Sequence, residues 1–226
     1  MMTFSSYEEL QEILADAFRQ RYKRSDANLV GLLFARPEAP FARDNVVPHI
    51  DYWHWRSDNW TDFFCPGYSP NPPRKGARAI TTVNGHGWFF SNEHFVSFLK
   101  VLEQRTTWHY SGGSELLIVN ARATSTQRKV RADLDFTSAI AVDLEAAQKQ
   151  KAINDPSAIC EDLFQFAKHL NEATADPVWD FSDRQGKRVI RGSLKELLLA
   201  ALPSTLRPEA KKAFHFVTVD ISQRSA

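Results

Sequence analysis

The feature that most constrains the fold is a short, unbroken apolar run, "NLVGLLFARP", at residues 28 to 37. A run of this length that ends at a proline is typical of a β-strand with both faces covered, because a half-exposed strand would alternate apolar and polar residues. A sheet that contains such a strand needs a layer of structure on each side. The run therefore favours a central sheet with helices on both faces.

Helical and strand patterns alternate on either side of this run. Before residue 145, apolar spacing and capping residues predict helices over 5 to 22, near 48 to 56 and from Ser91 onward. Strands are predicted over 60 to 65, 88 to 91, 114 to 122 and 135 to 144. After residue 145 the pattern predicts helices over 158 to 170 and 192 to 202. The segment "KAFHFVTVDIS" favours a last strand, and a helix there stays open.

This order of elements predicts an α/β fold. We expect a mixed β-sheet flanked by helices, a three-layer sandwich whose topology could be thioredoxin-like, with a C-terminal helical layer. Residues 1–150 would form the α/β core domain, and residues 151–226 a C-terminal helical extension packed on the same core, so that the chain is a single domain overall. A chain of 226 residues is long enough to bury such a core.

Two polar segments interrupt the predicted elements. Residues 66 to 87 hold four of the eleven prolines and four of the nine glycines, which predicts a long loop. The segment "ATSTQRKVRA", which follows residue 122, predicts a long exposed connection between two strands that could pair antiparallel.

The charges of the chain nearly cancel. With 28 basic and 27 acidic residues the formal net charge is +1, so no overall field would draw the protein onto DNA, RNA or anionic lipid. The charge balance argues against a nucleic-acid partner. No run of eighteen uncharged apolar residues and no secretory leader pattern occurs, so we expect no membrane association and a cytoplasmic location.

The two cysteines, Cys65 and Cys160, match no metal-ligand or redox spacing. We expect both thiols to be free and the protein to work in a reducing compartment. Cys65 ends a predicted strand, where a nucleophilic thiol could be exposed, but the absence of a nearby second cysteine favours a buried, inert thiol.

The stretch "HIDYWHWRSDNWTDFFCPGY", residues 49 to 68, concentrates reactive side chains. If residues 48 to 56 are helical, Asp51 and His54 are neighbours at positions i and i+3. An aspartate beside a histidine is the arrangement that general base catalysis uses, because the carboxylate orients the imidazole and raises its basicity. Asp62 on the following strand could supply a second carboxylate. The candidate catalytic residues are therefore His54, Asp51 and Asp62.

Two other interpretations of this stretch stay open. An aromatic-rich helix in a core also needs polar neighbours, which satisfy the indole and phenol hydrogens. Alternatively, the stretch could contact a partner or a small-molecule ligand, since tryptophan, tyrosine and arginine are enriched at binding hot spots. The candidate contact residues are Trp53, Trp55 and Arg56.

The predicted long loop adds two further candidates. Arg74 and Lys75 in "PPRKGAR" could hold the anionic group of a ligand. The chain has no phosphate-binding loop and no complete dinucleotide fingerprint, and its histidines and aspartates match no metal-binding motif, so we predict neither a cofactor nor a metal site.

No stretch carries a complete catalytic motif. We therefore favour a non-catalytic intracellular binding or regulatory subunit of a larger bacterial assembly, with a protein partner. The alternative is a hydrolase or transferase acting on a phosphorylated or nucleotide-like small molecule. In that alternative His54 would be the base, Asp51 would orient it, Asp62 would be the second acid, and Arg74 or Lys75 would hold the anion.

Overall fold

The computed structural model describes residues 3–21, 27–57, 60–126, 129–151, 153–170, 176–178, 180–181 and 218–220. The helices among them are α1 (Tyr7–Gln20), α2 (Pro40–Asn45), α3 (Ile50–Ser57), α4 (Asn92–Arg105), α5 (Leu144–Lys149) and α6 (Pro156–Lys168). The strands are β1 (Ala27–Phe34), β2 (Asp62–Phe64), β3 (Tyr68–Ser69), β4 (Thr81–Val83), β5 (His86–Phe90), β6 (Glu115–Thr126), β7 (Lys129–Asp143) and β8 (Thr218–Asp220). None of the helices described is long and apolar enough to cross a membrane.

The main sheet has five strands in the order β2-β1-β6-β7-β8. β1 and β2 run parallel, and the remaining neighbours are antiparallel. Two helices and the turn Val47–His49 form the crossover from β1 to β2, and α4 leads into β6. The predicted mixed sheet flanked by helices is confirmed, while the thioredoxin-like topology stays a prediction.

All eight residues of β1 are buried, as the apolar run predicts. Leu29 and Leu33 face an apolar cluster built with α3 and α6, whereas Val30 and Leu32 face a cluster built with α1 and α4. Alternate side chains of one strand thus enter two cores, because successive residues of a strand point to opposite faces. The sheet is the middle of three layers.

The local signals for the helices are also confirmed. The hydroxyl of Ser6 accepts a hydrogen bond from the backbone N–H of Glu9 at the start of α1, and Ser91 does the same for His94 at the start of α4. α2 ends at Asn45, and Pro48 lies in the 3₁₀ turn Val47–His49 that separates it from α3. The contacts of Ser6 and Ser91 are N-cap contacts, which satisfy otherwise unpaired backbone donors at the start of a helix.

The antiparallel pairing predicted for the two strands is confirmed, but the long connection predicted between them after residue 122 is wrong. β6 continues to Thr126 and β7 begins at Lys129, so most of "ATSTQRKVRA" belongs to one long antiparallel hairpin. The pairing shifts between Val119 and Asn120, where β7 bulges. The polar composition misled the prediction, because a ribbon that extends past the core needs few apolar side chains.

The predicted loop from 66 to 87 is also only partly a loop. It contains β3 and β4, which pair with β5 in a second, three-stranded sheet in the order β3-β5-β4. Asn84 and Gly85 form the turn between β4 and β5, with φ of 51° and 76°. An Asn-Gly pair adopts these positive φ values readily and is a strong hairpin signal.

The region after residue 150 lies partly outside the described residues. α6 packs on the same apolar cluster as β1, and so do Val178 and Phe181. β8 confirms a last strand and pairs with β7. The predicted helix over 192 to 202 lies outside the described residues, and the division of the chain at residue 150 stays a prediction.

Candidate functional site

The helix α3 has a buried inner face. Ile50, Trp53 and Ser57 are fully buried, and their spacing of three and four residues places them on one side of the helix. The ring of Trp53 packs edge-on against the ring of Phe63 on β2, with 6.2 Å between the centroids. This face joins α3 to the core, so the prediction that Trp53 contacts a ligand or partner does not fit its position.

The outer face of α3 carries exposed aromatic rings. Tyr52 is 48% exposed and Trp55 is 60% exposed, one helical turn apart. Trp60, which is 44% exposed, follows the end of the helix, where its backbone N–H bonds the carbonyl of Ser57. We call Tyr52, Trp55 and Trp60 the aromatic face.

A fourth exposed apolar residue lies close to the same helix. Ile80 is 38% exposed, and its backbone N–H bonds the carbonyl of Trp88 on β5. The ring of Trp88 in turn lies 6.3 Å from the ring of His54 on α3. In the part of the chain that the structure describes, the large exposed apolar side chains are therefore gathered on or beside α3.

Ionic and hydrogen-bonding contacts hold this surface in place. Arg56 binds the carboxylate of Glu161 on α6 through two nitrogens, with Nε–Oε1 at 3.1 Å and Nη2–Oε2 at 2.8 Å. The hydrogen bond from Arg56 lowers the pKa of the Glu161 carboxyl. A hydrogen bond to Glu161 also raises the pKa of the Tyr52 hydroxyl. The carboxylate thus orients Arg56 on the outer face, beside Tyr52.

A cation lies against the last ring of the aromatic face. Lys168 Nζ, at the end of α6, is 5.6 Å from the centre of the Trp60 ring. This is within the range of a cation–π contact. Glu161 and Lys168 of α6 therefore contact Arg56 on α3 and Trp60 after it.

The candidate catalytic pair on α3 has other contacts. The carboxylate of Asp51 accepts a hydrogen bond from the backbone N–H of Asn84 at 2.8 Å, which fixes the turn between β4 and β5. Among the described residues, no hydrogen bond joins Asp51 to His54. The His54 ring lies instead beside the rings of Trp55 and Trp88. Spacing alone did not predict these orientations.

Asp62 lies on the opposite side of the sheet from α3. Phe63 faces α3 and α6, whereas Phe64 faces the ring of Phe4 in the other core, so Asp62 points to the side of Phe64. It is 1% exposed and forms an ion pair with Arg21 at the end of α1. The structure therefore does not bring Asp62 together with Asp51 and His54.

The remaining candidates are separate from this group. Arg74 and Lys75 are exposed on the loop between β3 and β4. Cys65 and Cys160 are free and buried, as predicted, and burial raises the pKa of both thiols. A buried thiol with a raised pKa is a poor nucleophile. In the described ranges, no group of three or more histidine, cysteine or acidic residues could hold a metal ion.

Sequence reasoning selected Trp55 and Arg56 but missed three members of this surface, namely Tyr52, Trp60 and Glu161. The first could have been found from the helix itself, because Tyr52, Trp55 and Arg56 follow the i, i+3, i+4 spacing of one helical face. Glu161 could not, since its contact spans more than a hundred residues of sequence. Comparisons with protein-family models, curated proteins and solved structures found no match for this chain.

Proposed function

We propose that this protein is a non-catalytic binding or regulatory subunit that recognises a protein partner through the aromatic face on α3. The observation that carries the proposal is the exposure of Tyr52, Trp55 and Trp60 together on one helix and its C-terminal end. Folding gains nothing from leaving large rings in water, and clustered exposed apolar side chains mark interaction sites.

The composition of this surface supports a protein as the partner. Tryptophan, tyrosine and arginine are the side chains that contribute most at protein–protein interfaces. The surroundings of the aromatic face are also preorganised, because Glu161 holds Arg56 and Lys168 lies against Trp60. Side chains that are already ordered lose less conformational entropy when a partner binds.

The proposal places the protein in the cytoplasm, as part of a larger bacterial assembly. Two buried free thiols support a reducing compartment. The alternative enzymatic function gains no support from the described contacts, since Asp51 and Asp62 are engaged in different parts of the fold.

The test uses the full chain as bait. The wild-type protein should retain a discrete partner, and the purified partner should then bind Trp55→Ala about 30-fold more weakly, the loss expected at a hot spot worth about 2 kcal/mol. Tyr52→Ala should weaken binding in the same direction. Lys149→Ala is the control, because Lys149 is 74% exposed on α5 and its ion pair is with Glu145 of the same helix. A wild-type chain that retains no partner, or a Trp55→Ala variant with wild-type affinity, would refute the proposal.

A further inference from the structure

A second surface, at the carboxyl end of β1, has the chemistry of an anion site. Arg36 lies two residues after the end of β1, and its guanidinium lies 5.2 Å from the centre of the Phe95 ring on α4. In open α/β sheets, ligands bind in the crevice outside the carboxyl ends of the strands. β1 and β2 are the parallel pair of this sheet, and both end on this side.

Arg36 differs from the other half-buried arginines in the described structure. Arg21, Arg56 and Arg122 each form an ion pair with a carboxylate, from Asp62, Glu161 and Asp135 respectively. Arg36 is half-buried too, yet among the described residues it has no carboxylate partner, and its buried Nε donates no hydrogen bond. Glu38, two residues along the chain, is exposed and forms no ion pair with it.

A buried hydrogen-bond donor without an acceptor destabilises the fold, because folding removes its hydrogen bonds to water and the protein supplies no replacement. The Nε–H group itself is closed off from solvent, so an incoming anion would accept hydrogen bonds from the terminal N–H groups of the half-buried Arg36 side chain. The planar guanidinium presents several N–H groups in a fixed fork, which matches the two oxygens of a carboxylate or phosphate.

The backbone around Arg36 is held in one position. The hydroxyl of Tyr68, a fully buried residue, donates to the carbonyl of Ala35 at 3.1 Å. The next residue, Pro37, is buried and restricts the backbone of Arg36 through its ring. The guanidinium therefore projects from a rigid strand end, which reduces the entropy lost on binding.

The second wall of this site is Tyr110, which is also fixed. Its ring lies 5.4 Å from that of Phe95, its backbone N–H bonds Glu103 at 3.0 Å, and its hydroxyl donates to the carbonyl of Gly113 at 2.7 Å. Burial raises the pKa of Tyr110 to about 12; the nearby positive charge of Arg36 opposes that rise, and the carboxylates of Glu115 and Glu38 add to it.

The loop that carries Tyr110 is tied to the sheet by a buried carboxylate. Glu115 on β6 accepts from the indole N–H of Trp108 at 2.6 Å and from the backbone N–H of Ser111 at 2.8 Å. Both walls of the site are thus positioned before any ligand arrives.

We propose that Arg36, resting on Phe95 and flanked by Tyr110, binds the oxyanion group of a ligand, either a carboxylate or a phosphate. This site lies apart from α3 and does not depend on the proposed partner surface. It also differs from the anion site predicted at Arg74 and Lys75, which are exposed on a loop.

The test is a titration of the full-length, ¹⁵N-labelled protein with inorganic phosphate and, separately, with acetate, at constant ionic strength. The Nε–H signal of Arg36, assigned by its disappearance in Arg36→Lys, should shift saturably with at least one probe. The probe that binds more tightly identifies the source of the oxyanion. Arg36→Lys keeps the positive charge but loses the planar guanidinium. The variant should therefore bind that probe about tenfold more weakly, as measured from the shift of the Tyr110 backbone signal.

The matched control is Arg131→Lys, the same change at an exposed arginine on β7, which should leave the affinity unchanged. Thermal unfolding of Arg36→Lys checks that the variant keeps its fold. Shifts at Arg36 that do not saturate with either probe, or an unchanged affinity in a folded Arg36→Lys variant, would overturn the proposal.

Discussion

The two faces of α3 make opposite use of the same residue type. Trp53 is fully buried and packs on β2, whereas Trp55, two positions further on, is 60% exposed. Neither composition nor hydropathy separates these two tryptophans, but the helical phase does, because a step of two residues turns a side chain to the other side of the helix. The inner face therefore stabilises the fold, and the outer face is left for another molecule.

The largest effect should come from the inner face. Trp53→Ala removes a fully buried ring and leaves a cavity beside Phe63, so the free energy of unfolding should fall by about 3 to 5 kcal/mol. Trp55→Ala should change it by less than about 0.5 kcal/mol. Urea unfolding of both variants measures the difference. Equal losses would show that the two faces do not differ as described.

Substitution of Asp62, a predicted catalytic residue, tests whether its buried ion pair stabilises the fold. Asp62→Asn removes the charge that pairs with Arg21 and should lower the free energy of unfolding by about 2 kcal/mol, less than for a fully buried pair because Arg21 is 22% exposed. Asp44→Asn, which breaks the exposed pair of Arg43 and Asp44, is the control and should leave the urea midpoint nearly unchanged. A fully stable Asp62→Asn protein would contradict the structural role.

The two buried thiols should make the stability of the protein depend on pH in the alkaline range. Burial raises the pKa of Cys65 and Cys160 above the value of about 8.5 that a thiol has in an unfolded chain. Above that value the unfolded chain releases protons that the folded chain keeps, so stability is present below about pH 8.5 and falls as the pH rises. The free energy of unfolding should fall by up to about 1.4 kcal/mol per pH unit for each thiol.

Urea unfolding between about pH 8 and pH 9.5 isolates the thiols, because tyrosines in an unfolded chain titrate near pH 10. A Cys65→Ala, Cys160→Ala double variant should flatten the dependence. The same slope in the variant and in the wild type would show that the thiols are not the cause.

The smallest effect on stability should come from the outer face. Glu161→Gln weakens the contact with Arg56, whose side chain is 40% exposed, so the free energy of unfolding should fall by less than about 1 kcal/mol. Binding of the partner should fall more, because Arg56 loses the charged group that orients it. If Glu161→Gln lowers the stability but leaves the affinity for the partner unchanged, Glu161 does not contribute to the proposed binding surface.

Much of the fold followed from local patterns. The apolar run of β1, the serine caps of α1 and α4 and the helix near residues 48 to 56 each depend on neighbouring residues, and the structure confirms them. The second sheet was missed although Asn84 and Gly85 signal its turn. The extent of β6 and β7 was missed because pairing between two polar strands depends on partners that are distant in sequence.

The candidate site was harder to predict, for the same physical reason. The i, i+3 spacing of Asp51 and His54 is real, but Asp51 bonds Asn84, thirty-three residues away. Asp62 faces the opposite core because of the phase of a three-residue strand. Arg36 drew no attention in the sequence, since an arginine before a proline does not reveal whether it has a carboxylate partner.

The central claim is that a partner contacts the aromatic face, and site-specific photocrosslinking in cells tests it most directly. A benzophenone amino acid at position 55 should give a discrete crosslinked protein, and the same group at position 43, where Arg43 on α2 is 62% exposed, should not. Adding Tyr52→Ala should reduce the yield at position 55. No adduct at position 55, or the same adduct at both positions, would contradict the claim.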